Sequence, residues 1–295
     1  MNTKSAIITI AGRPNVGKST LTNYLVGEKI AIVSNKPQTT RNRICGIMTR
    51  ENSQFVFVDT PGYHRARTKL GDYMVNVARE SIADVDATIL VVEPIASIGP
   101  QEQDLIEKIR GSHCPAVLAI NKIDTVEKDS LLEVIALYSQ TNAFDAIVPI
   151  SAKTGDGVEE LLKVCSKYAV EGPFLFPEDV TTDQPERQVM AEIIREKILW
   201  NLDKEIPHGT AVEITKFSER DSGVIDLDAT IYCEKASHKG IIIGKGGEML
   251  KKISSMARVD CEKFMGTKVY LTTWVKVNEN WRDSDFLVRN FGYSE

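Results

Sequence analysis

The sequence has no long hydrophobic run. No apolar stretch approaches the roughly 18 residues that a membrane-spanning helix needs, which argues against a helical membrane protein. Residues 1–5 carry neither a signal-peptide nor a transit-peptide pattern. With 42% hydrophobic and 26% charged residues the composition is typical of globular proteins, and 295 residues are enough for two domains. We therefore expect a cytoplasmic protein.

Cysteine is also scarce, and the excess of acidic charge is small. The five cysteines are odd in number and no two are spaced as CxxC, which argues against a disulfide framework or a zinc site and favours reduced thiols. A formal net charge of −5 disfavours attraction of the whole surface to nucleic acid but leaves room for a local basic patch. No DNA partner is expected.

The most informative segment present is a complete phosphate-binding loop of the form GxxxxGK[ST], from Gly12 to Ser19. It follows an apolar run, residues 6–11, and leads into a helix-like segment, residues 20–26, which is the context that the motif requires. Its glycines let consecutive N–H groups converge on phosphate oxygens, and a helix N-terminus adds positive potential. Lys18 can reach the β- and γ-phosphates, and the Ser19 hydroxyl can bind Mg²⁺.

Up to about residue 170, short apolar runs alternate with helix-like segments such as residues 103–109 and 158–168. Strands that are apolar throughout and separated by helices predict a mostly parallel, doubly wound α/β sheet with ligands beyond the carboxyl ends of its strands. The predicted strands are residues 6–11, 54–59, 87–92, 116–121 and 146–150.

Further motifs follow these strands in the order that a guanine-nucleotide switch needs. Asp59-Thr-Pro-Gly62 fits a DxxG element, whose carboxylate holds Mg²⁺ through water and whose glycine N–H senses the γ-phosphate. In the polar stretch before the strand that ends at Asp59, Thr40 can complete the Mg²⁺ shell when GTP is bound.

Two more motifs favour guanine as the base. Asn121-Lys-Ile-Asp124 reads as NKxD, and a carboxylate at Asp124 can accept both the ring and the exocyclic N–H groups of guanine, a pair that adenine does not present. Ser151-Ala-Lys153 follows the last strand, where a backbone N–H can meet the guanine carbonyl. Each motif alone could be a turn or a helix cap, but all five occur in register, each at a strand end or in a connecting loop, so we predict that the domain binds GTP.

Residues 5–170 resemble the translation-factor-related class of small GTPases, and GRPNVGKS is typical of its bacterial members. Lys18, Thr40 and Gly62 are predicted to act in hydrolysis, and Ser19, Thr40 and Asp59 to hold Mg²⁺. The motifs and the resemblance together predict these nucleotide-binding residues: Gly12, Asn15, Val16, Gly17, Lys18, Ser19, Thr20, Asp59, Gly62, Asn121, Lys122, Asp124, Ser151, Ala152 and Lys153.

One position departs from the Ras pattern. Tyr63 follows the DxxG element where Ras-like enzymes carry a water-orienting glutamine, so we predict slow basal hydrolysis that depends on Lys18, Mg²⁺ and backbone N–H groups. Related GTPases with an asparagine at the position of Asn15 use K⁺ in place of an arginine finger. Bound K⁺ is a hypothesis here, with a local turn-stabilising role for Asn15 as the alternative.

The composition of the chain changes between residues 172 and 185, where three prolines predict a linker. We expect a nucleotide-binding domain at 1–171, a linker at 172–184 and a second domain at 185–295.

The second domain begins with an amphipathic segment, residues 186–202, followed by strand-like runs at 211–216 and 224–233. A helix–turn–helix region spans roughly residues 238–265, and an alternating strand follows at 269–277. The order α-β-β-α-α-β predicts a small sheet with helices on one side. Tyr270 and Trp274 share one face of the last strand, where packing is their expected role and stacking on bases is the alternative.

Within the second domain, Gly244-Lys-Gly-Gly247 forms a GxxG loop between two helix-like segments. The loop and the element order fit a type II K-homology (KH) domain, in which GxxG clamps about four single-stranded nucleotides. Residues 235–276 hold nine basic against three acidic side chains, which favours RNA over a merely solvated helix face. The predicted RNA-binding residues are Gly244, Lys245, Gly246, Gly247, Lys251 and Lys252.

A phosphate-loop GTPase domain, a proline-rich linker and a KH domain together resemble the bacterial Era family over essentially the whole chain. The resemblance implies a monomeric GTPase that binds the 3′ end of 16S ribosomal RNA, assists maturation of the small (30S) ribosomal subunit and has some peripheral contact with the inner face of the cell membrane. The chain has no lipidation motif and no strongly basic amphipathic anchor to support the membrane contact.

Three other classes of protein are alternatives to this family. A tRNA-modifying GTPase has a reactive C-terminal cysteine that this chain lacks, and a tandem ribosome-assembly GTPase needs a second phosphate loop. A regulatory GTP switch whose C-terminal domain binds another RNA or a protein remains the alternative.

Overall fold

The structure is a computed structural model, and it describes residues 2–63, 68–81 and 85–293. Two compact units account for its contacts. The first comprises the described parts of Met1–Ala31, Thr40–Ala66 and Met74–Asp183, and the second those of Ile32–Thr39, Arg67–Tyr73 and Gln184–Glu295. Residues 1, 294 and 295, at the ends of the two predicted domains, lie outside the described part of the chain.

A mostly parallel sheet forms the centre of the first unit. Its strands run in the order β2-β3-β1-β4-β5-β6, and a short β7 pairs antiparallel with the start of β1. β1 pairs in parallel with β3 and β4, whereas β2 and β3 are antiparallel. The strands are β1 (Lys4–Ala11), β2 (Ile44–Arg50), β3 (Ser53–Asp59), β4 (Ala87–Val92), β5 (Ala116–Ile120), β6 (Ala146–Pro149) and β7 (Val170–Glu171).

Helices cover both faces of this sheet, as the apolar strands predict. Ile89 of β4 packs on one face with residues of α1 and α5, and its neighbour Leu90 packs on the other face with residues of α3 and α4. The doubly wound α/β fold is therefore confirmed. The helices that begin in this part of the chain are α1 (Lys18–Val26), α2 (Lys69–Glu80), α3 (Pro100–Ser112), α4 (Lys128–Ser139) and α5 (Val158–Cys165), and the boundary between the two units falls within α2.

The second unit has the predicted α-β-β-α-α-β order. Its sheet runs β10-β9-β8, with β9 parallel to β10 and antiparallel to β8. Ile225, Leu227, Ala229 and Ile231 of β9 are buried against the helices, which confirms the alternation in the sequence. The elements are α6 (Glu186–Asn201), β8 (Ala211–Glu219), β9 (Ile225–Cys233), α7 (Ala236–Ile243), α8 (Glu248–Met265), β10 (Val269–Val277) and a further short helix, α9 (Asp285–Asn290).

The aromatic pair on β10 differs from expectation. Tyr270 and Trp274 were expected to pack, but they are 61% and 59% exposed, because the helices cover the opposite face of the sheet and hold Val269 and Val275 instead. The guanidinium of Arg220 lies 5.5 Å from the centroid of the Tyr270 ring.

Helix α6 buries three consecutive charged residues. Arg195, Glu196 and Lys197 are each at most 1% exposed. Lys197 Nζ lies 2.7 Å from a Glu196 oxygen and 2.5 Å from a carboxylate oxygen of Asp260 on α8. Glu196 also accepts the Val33 N–H at 2.9 Å, so the segment Ile32–Thr39 packs on α6 within this unit.

Replacing Lys197 by methionine is expected to destabilise the second unit by about 3–5 kcal/mol, because the substitution breaks a buried ion pair by removing the ammonium that contacts both Glu196 and Asp260. Lys263→Met, at an exposed position of α8, is the control and should change stability by less than about 0.5 kcal/mol. Urea unfolding followed by tryptophan fluorescence isolates this unit, because the three tryptophans lie at residues 200, 274 and 281. Equal midpoints for the two variants would contradict the expectation.

Among the described residues, no helix combines the length and the apolar character needed to cross a membrane.

Candidate functional site

The predicted nucleotide-binding motifs converge at one edge of the first unit's sheet. The adjacent strands β3, β1, β4 and β5 all run parallel, so their carboxyl ends lie at the same edge of the sheet. The phosphate loop follows β1, Asp59 ends β3 and Asn121 follows β5. Ser151 follows β6 at the same edge. Motifs separated by more than a hundred residues in the chain are thereby brought to one place.

The phosphate loop packs closely against the NKxD motif. Gly17 has a φ of 102°, and a Cβ atom there would lie 2.2 Å from Asn121 Nδ2, so only glycine fits. Asn15 adopts the left-handed region with a φ of 66° and is exposed. Helix α1 begins at Lys18, which places its N-terminus at the loop, and Thr20 lies half-buried in the first turn. This is the anion-binding geometry that the motif predicts.

Lys18 is 6% exposed and its ammonium lies within the loop. Nζ donates to the carbonyl oxygens of Gly12 at 3.1 Å and Arg13 at 2.9 Å. Burial lowers the pKa of Lys18 to about 8, and the nearby Asp59 carboxylate opposes that shift. A cation held in this way is poised to pair with phosphate oxygens, whose negative charge would restore its ordinary pKa.

The three predicted metal ligands form one cluster. Ser19 Oγ lies 2.8 Å from Thr40 Oγ1 and donates to Asp59 Oδ2 at 2.6 Å. Burial raises the pKa of Asp59 to about 6, opposed by Lys18 and by the Ser19 hydrogen bond. Asp59 Oδ1 is buried and accepts no hydrogen bond from the described residues. Two hydroxyls and a carboxylate with an unsatisfied buried oxygen are the hard donors that suit Mg²⁺ and its water ligands.

The Asn121 side chain connects two of the nucleotide motifs by hydrogen bonds. Its side-chain amide donates to the Val16 carbonyl at 2.8 Å, and its side-chain oxygen accepts the Ala152 N–H at 2.9 Å. Asn121 is 2% exposed and thus joins the phosphate loop to the Ser151–Lys153 motif.

The edge predicted to recognise guanine is formed by Asp124 and Ser151. Asp124 lies in a single 3₁₀ turn and is exposed, and its Oδ1 accepts the Ser151 hydroxyl at 2.7 Å. This hydrogen bond orients the carboxylate, and because each carboxylate oxygen has two lone pairs, both oxygens can still accept from a ligand. Ala152 is buried, and Lys153 is exposed beside it.

Gly62 and Tyr63 contact the phosphate loop. A Cβ on Gly62 would lie 2.7 Å from Pro14 Cα, and the Tyr63 N–H donates to the Gly12 carbonyl at 3.2 Å. The Tyr63 phenol accepts a hydrogen bond from Lys108 of α3, whose ammonium also lies 4.0 Å from the ring centroid. Tyr63 therefore packs on α3, which supports catalysis without a water-orienting side chain at that position.

Sequence reasoning missed residues that hold the motifs in place. Glu93 follows β4 and contacts side chains of both the phosphate loop and the NKxD motif. A carboxylate placed immediately after a central strand is the signal that could have identified it.

In the second unit, the GxxG loop joins α7 to α8. Gly244 ends α7 with a φ of 75°, residues 245–247 form a 3₁₀ turn, and α8 begins at Glu248. Lys245 and Gly246 are exposed at the tip. The loop therefore presents backbone and a cation to solvent, as phosphate binding requires.

Basic and apolar side chains flank this loop. Lys251 and Lys252 are exposed in the first two turns of α8, and Ile241 of α7 is 50% exposed. The predicted RNA-binding residues are thus all found in one short stretch of the second unit, with the exposed Ile241 side chain nearby in the sequence.

Comparisons with known proteins match both units of the chain. A family model described as 50S ribosome-binding GTPase matches residues 7–122, and a KH-domain model matches residues 205–282. GTPase Era of Ruminiclostridium cellulolyticum is 52% identical over 293 residues, covering 99% of this chain and 98% of that protein. GTPase Era of Clostridioides difficile is 50% identical over 294 residues, covering 99% of each.

Solved structures extend the likeness to three dimensions. Era in complex with MgGDPNP and nucleotides 1506–1542 of 16S ribosomal RNA matches with a TM-score of 0.95 and 37% identity, covering 99% of this chain and 100% of that one. A tyrosine-to-alanine variant of Aquifex aeolicus Era bound to GDP·AlF₄⁻ matches with the same values. With half of its residues identical along the full length of curated relatives, the chain belongs to the GTPase Era family.

Proposed function

We propose that this protein binds and slowly hydrolyses GTP, and that its KH domain binds the 3′ end of 16S ribosomal RNA during maturation of the small ribosomal subunit. The observation that carries the proposal is the full-length match to an Era structure that holds both MgGDPNP and this RNA. The five nucleotide motifs and the exposed GxxG loop supply the matching chemistry.

The hydrolytic machinery follows from the first unit. Lys18 and the backbone N–H groups of the phosphate loop would stabilise negative charge on the transferred phosphoryl group. Ser19, Thr40 and Asp59 would hold Mg²⁺, which neutralises charge shared by the β- and γ-phosphates. Thr40 and Gly62 would sense the γ-phosphate, one by its hydroxyl and the other by its N–H. Bound K⁺ beside Asn15 remains a prediction, and equal hydrolysis rates in K⁺ and Na⁺ buffers would rule it out.

Recognition of RNA is assigned to the second unit. The GxxG loop would clamp backbone phosphates while Lys245, Lys251 and Lys252 contribute positive charge. In the bacteria that supply its relatives 16S RNA resides in the cytoplasm, so we propose a cytoplasmic location. Peripheral membrane contact and a monomeric state remain predictions.

RNA selectivity tests the proposal. With a non-hydrolysable GTP analogue bound, the full chain should bind a single-stranded RNA copying the 16S 3′ end at least about tenfold more tightly than a scrambled RNA of equal length and composition. A filter-binding titration at fixed salt measures both affinities. Equal affinities would favour the alternative, a GTP switch that acts on another RNA, and absence of binding to either RNA would favour a protein partner.

A further inference from the structure

Glu93 occupies a position that none of the five nucleotide motifs includes. The sheet order places β4 between β1 and β5, the strands that lead into the phosphate loop and the NKxD motif. Glu93 immediately follows Val92, the last residue of β4, and so lies at the carboxyl edge between those two loops. Topology alone therefore places this carboxylate between the loop for the phosphates and the loop for the base.

The side chain of Glu93 contacts both loops. One carboxylate oxygen lies 2.5 Å from Lys122 Nζ, and the other lies 3.6 Å from a guanidinium nitrogen of Arg13. Lys122 Nζ also donates to the Asn15 carbonyl at 2.7 Å. The Glu93 side chain is 28% exposed, and those of Lys122 and Arg13 are 36% and 30% exposed, so water screens these pairs only in part.

Arg13 also forms an ion pair with a second carboxylate, that of Glu102. Arg13 Nε lies 3.0 Å from Glu102 Oε1, and Glu102 Oε2 accepts the Gly99 N–H at 2.8 Å at the start of α3. The phosphate loop is thereby fixed to α3 on one side and to Glu93 on the other.

Both loops need such support, because each contains a strained residue. Asn15 and Lys122 both adopt a φ of 66°, a left-handed conformation that costs free energy in a residue with a side chain. Such conformations persist where the surroundings over-determine them, and here the Lys122 ammonium supplies contacts to Asn15 and Glu93 at once.

We propose that Glu93 is a positioning residue that holds the phosphate loop and the NKxD motif at the separation that one guanine nucleotide must span. This inference rests on the nucleotide-binding part of the proposed function. In the described part of the chain Glu93 forms no hydrogen bond or ion pair with Ser19, Thr40 or Asp59, so we expect it to contribute equally to the ground state and the transition state. Loss of such uniform binding raises KM and leaves kcat in place.

Glu93→Gln tests the proposal, because it removes the charge and keeps the shape. We expect affinities for both GTP and GDP to fall by about tenfold through faster dissociation, since a charge-assisted contact is lost. KM should rise by the same factor, with kcat at saturating GTP within about twofold of wild type. The control is Glu107→Gln on α3, where Glu107 accepts a hydrogen bond from Gln103 one turn away on the same helix, and wild-type values are expected. Wild-type affinity in Glu93→Gln, or a loss confined to kcat, would overturn the proposal.

A double-mutant cycle separates positioning from general stability. Lys122→Met removes the partner, so adding Glu93→Gln in that background should cost no more than about twofold in GDP affinity. A further tenfold loss in the double variant would overturn the proposal. If wild type itself fails to bind guanine nucleotides, the proposed function fails before the role of Glu93 is reached.

Discussion

Replacing Asp124 by asparagine is expected to lower GTP affinity by roughly 10³-fold or more and to create a preference for xanthosine triphosphate. The exposed Asp124 carboxylate, oriented by the Ser151 hydroxyl at 2.7 Å, offers two acceptor oxygens to the ring and exocyclic N–H groups of guanine. An asparagine amide would face the exocyclic donor of guanine with its own donor, and mismatched buried polar groups are heavily penalised. Xanthine carries a carbonyl at that position and restores the pairing.

The nucleotide preference is measured by competition between GTP and xanthosine triphosphate for a fluorescent nucleotide. Asp129→Asn is the matched control, since Asp129 is an exposed aspartate in the first turn of α4, five residues further along the chain. We expect that variant to retain GTP specificity. Wild-type GTP affinity in Asp124→Asn would contradict the assignment of Asp124 to guanine recognition.

The double substitution Lys245→Asp and Gly246→Asp is expected to lower RNA affinity by at least about 100-fold and to leave nucleotide affinity unchanged. It replaces a cation and a neutral residue at the exposed tip of GxxG with two carboxylates, which repel phosphates. Gly244 is left intact because a Cβ there would lie 2.7 Å from Met249 Cβ, so its substitution would disturb the fold. Gly246 has open space around it and a φ of 60°, which aspartate tolerates better than most residues.

The chain provides a matched control at the other end of α8. Lys263→Asp with Gly266→Asp makes the same charge change, and Gly266 also has a positive φ, 66°, with open space around it. The 18 residues of α8 separate the two pairs by about 25 Å. The control should lose far less RNA affinity than the loop variant. Equal losses would show that charge anywhere on this unit governs binding and would contradict a specific role for GxxG.

Much of the fold could be predicted from the sequence, because long apolar strands and helical periodicity are local signals. β2 could not, since Ile44–Arg50 mixes apolar and polar residues and is interrupted by Gly46. It forms by antiparallel pairing with β3 across residues 51–52, and Gly46 allows close packing against α1, where a Cβ would lie 2.7 Å from a Val26 side-chain carbon. Both causes are tertiary and leave no periodic pattern.

The aromatic residues of β10 show the same limit. Alternation placed Tyr270 and Trp274 on one face, and the structure agrees, but the pattern does not tell which face the helices cover. The covered face of the sheet is set by α6, α7 and α8, which pack on the side that holds Val269 and Val275.

In the candidate nucleotide site, sequence motifs predicted the residues that would face a ligand and missed residues that hold those motifs in place. Lys18, Ser19, Asp59 and Asp124 were recognisable from spacing because their chemistry is tied to short motifs. Glu93 was not, because its partners Arg13 and Lys122 are brought to it only by the strand order β1-β4-β5.

The most direct test of a GTPase that acts through RNA is the affinity of the wild-type chain for the 16S 3′-end RNA, measured with a non-hydrolysable GTP analogue and again with GDP. We expect tighter binding with the analogue, because Thr40 and Gly62 are predicted to respond to the γ-phosphate and the linked second unit is the one that carries GxxG. By linkage, the RNA should raise the affinity for the analogue by the same factor. Equal RNA affinity in the two nucleotide states would contradict the account and leave two independent binding activities in one chain.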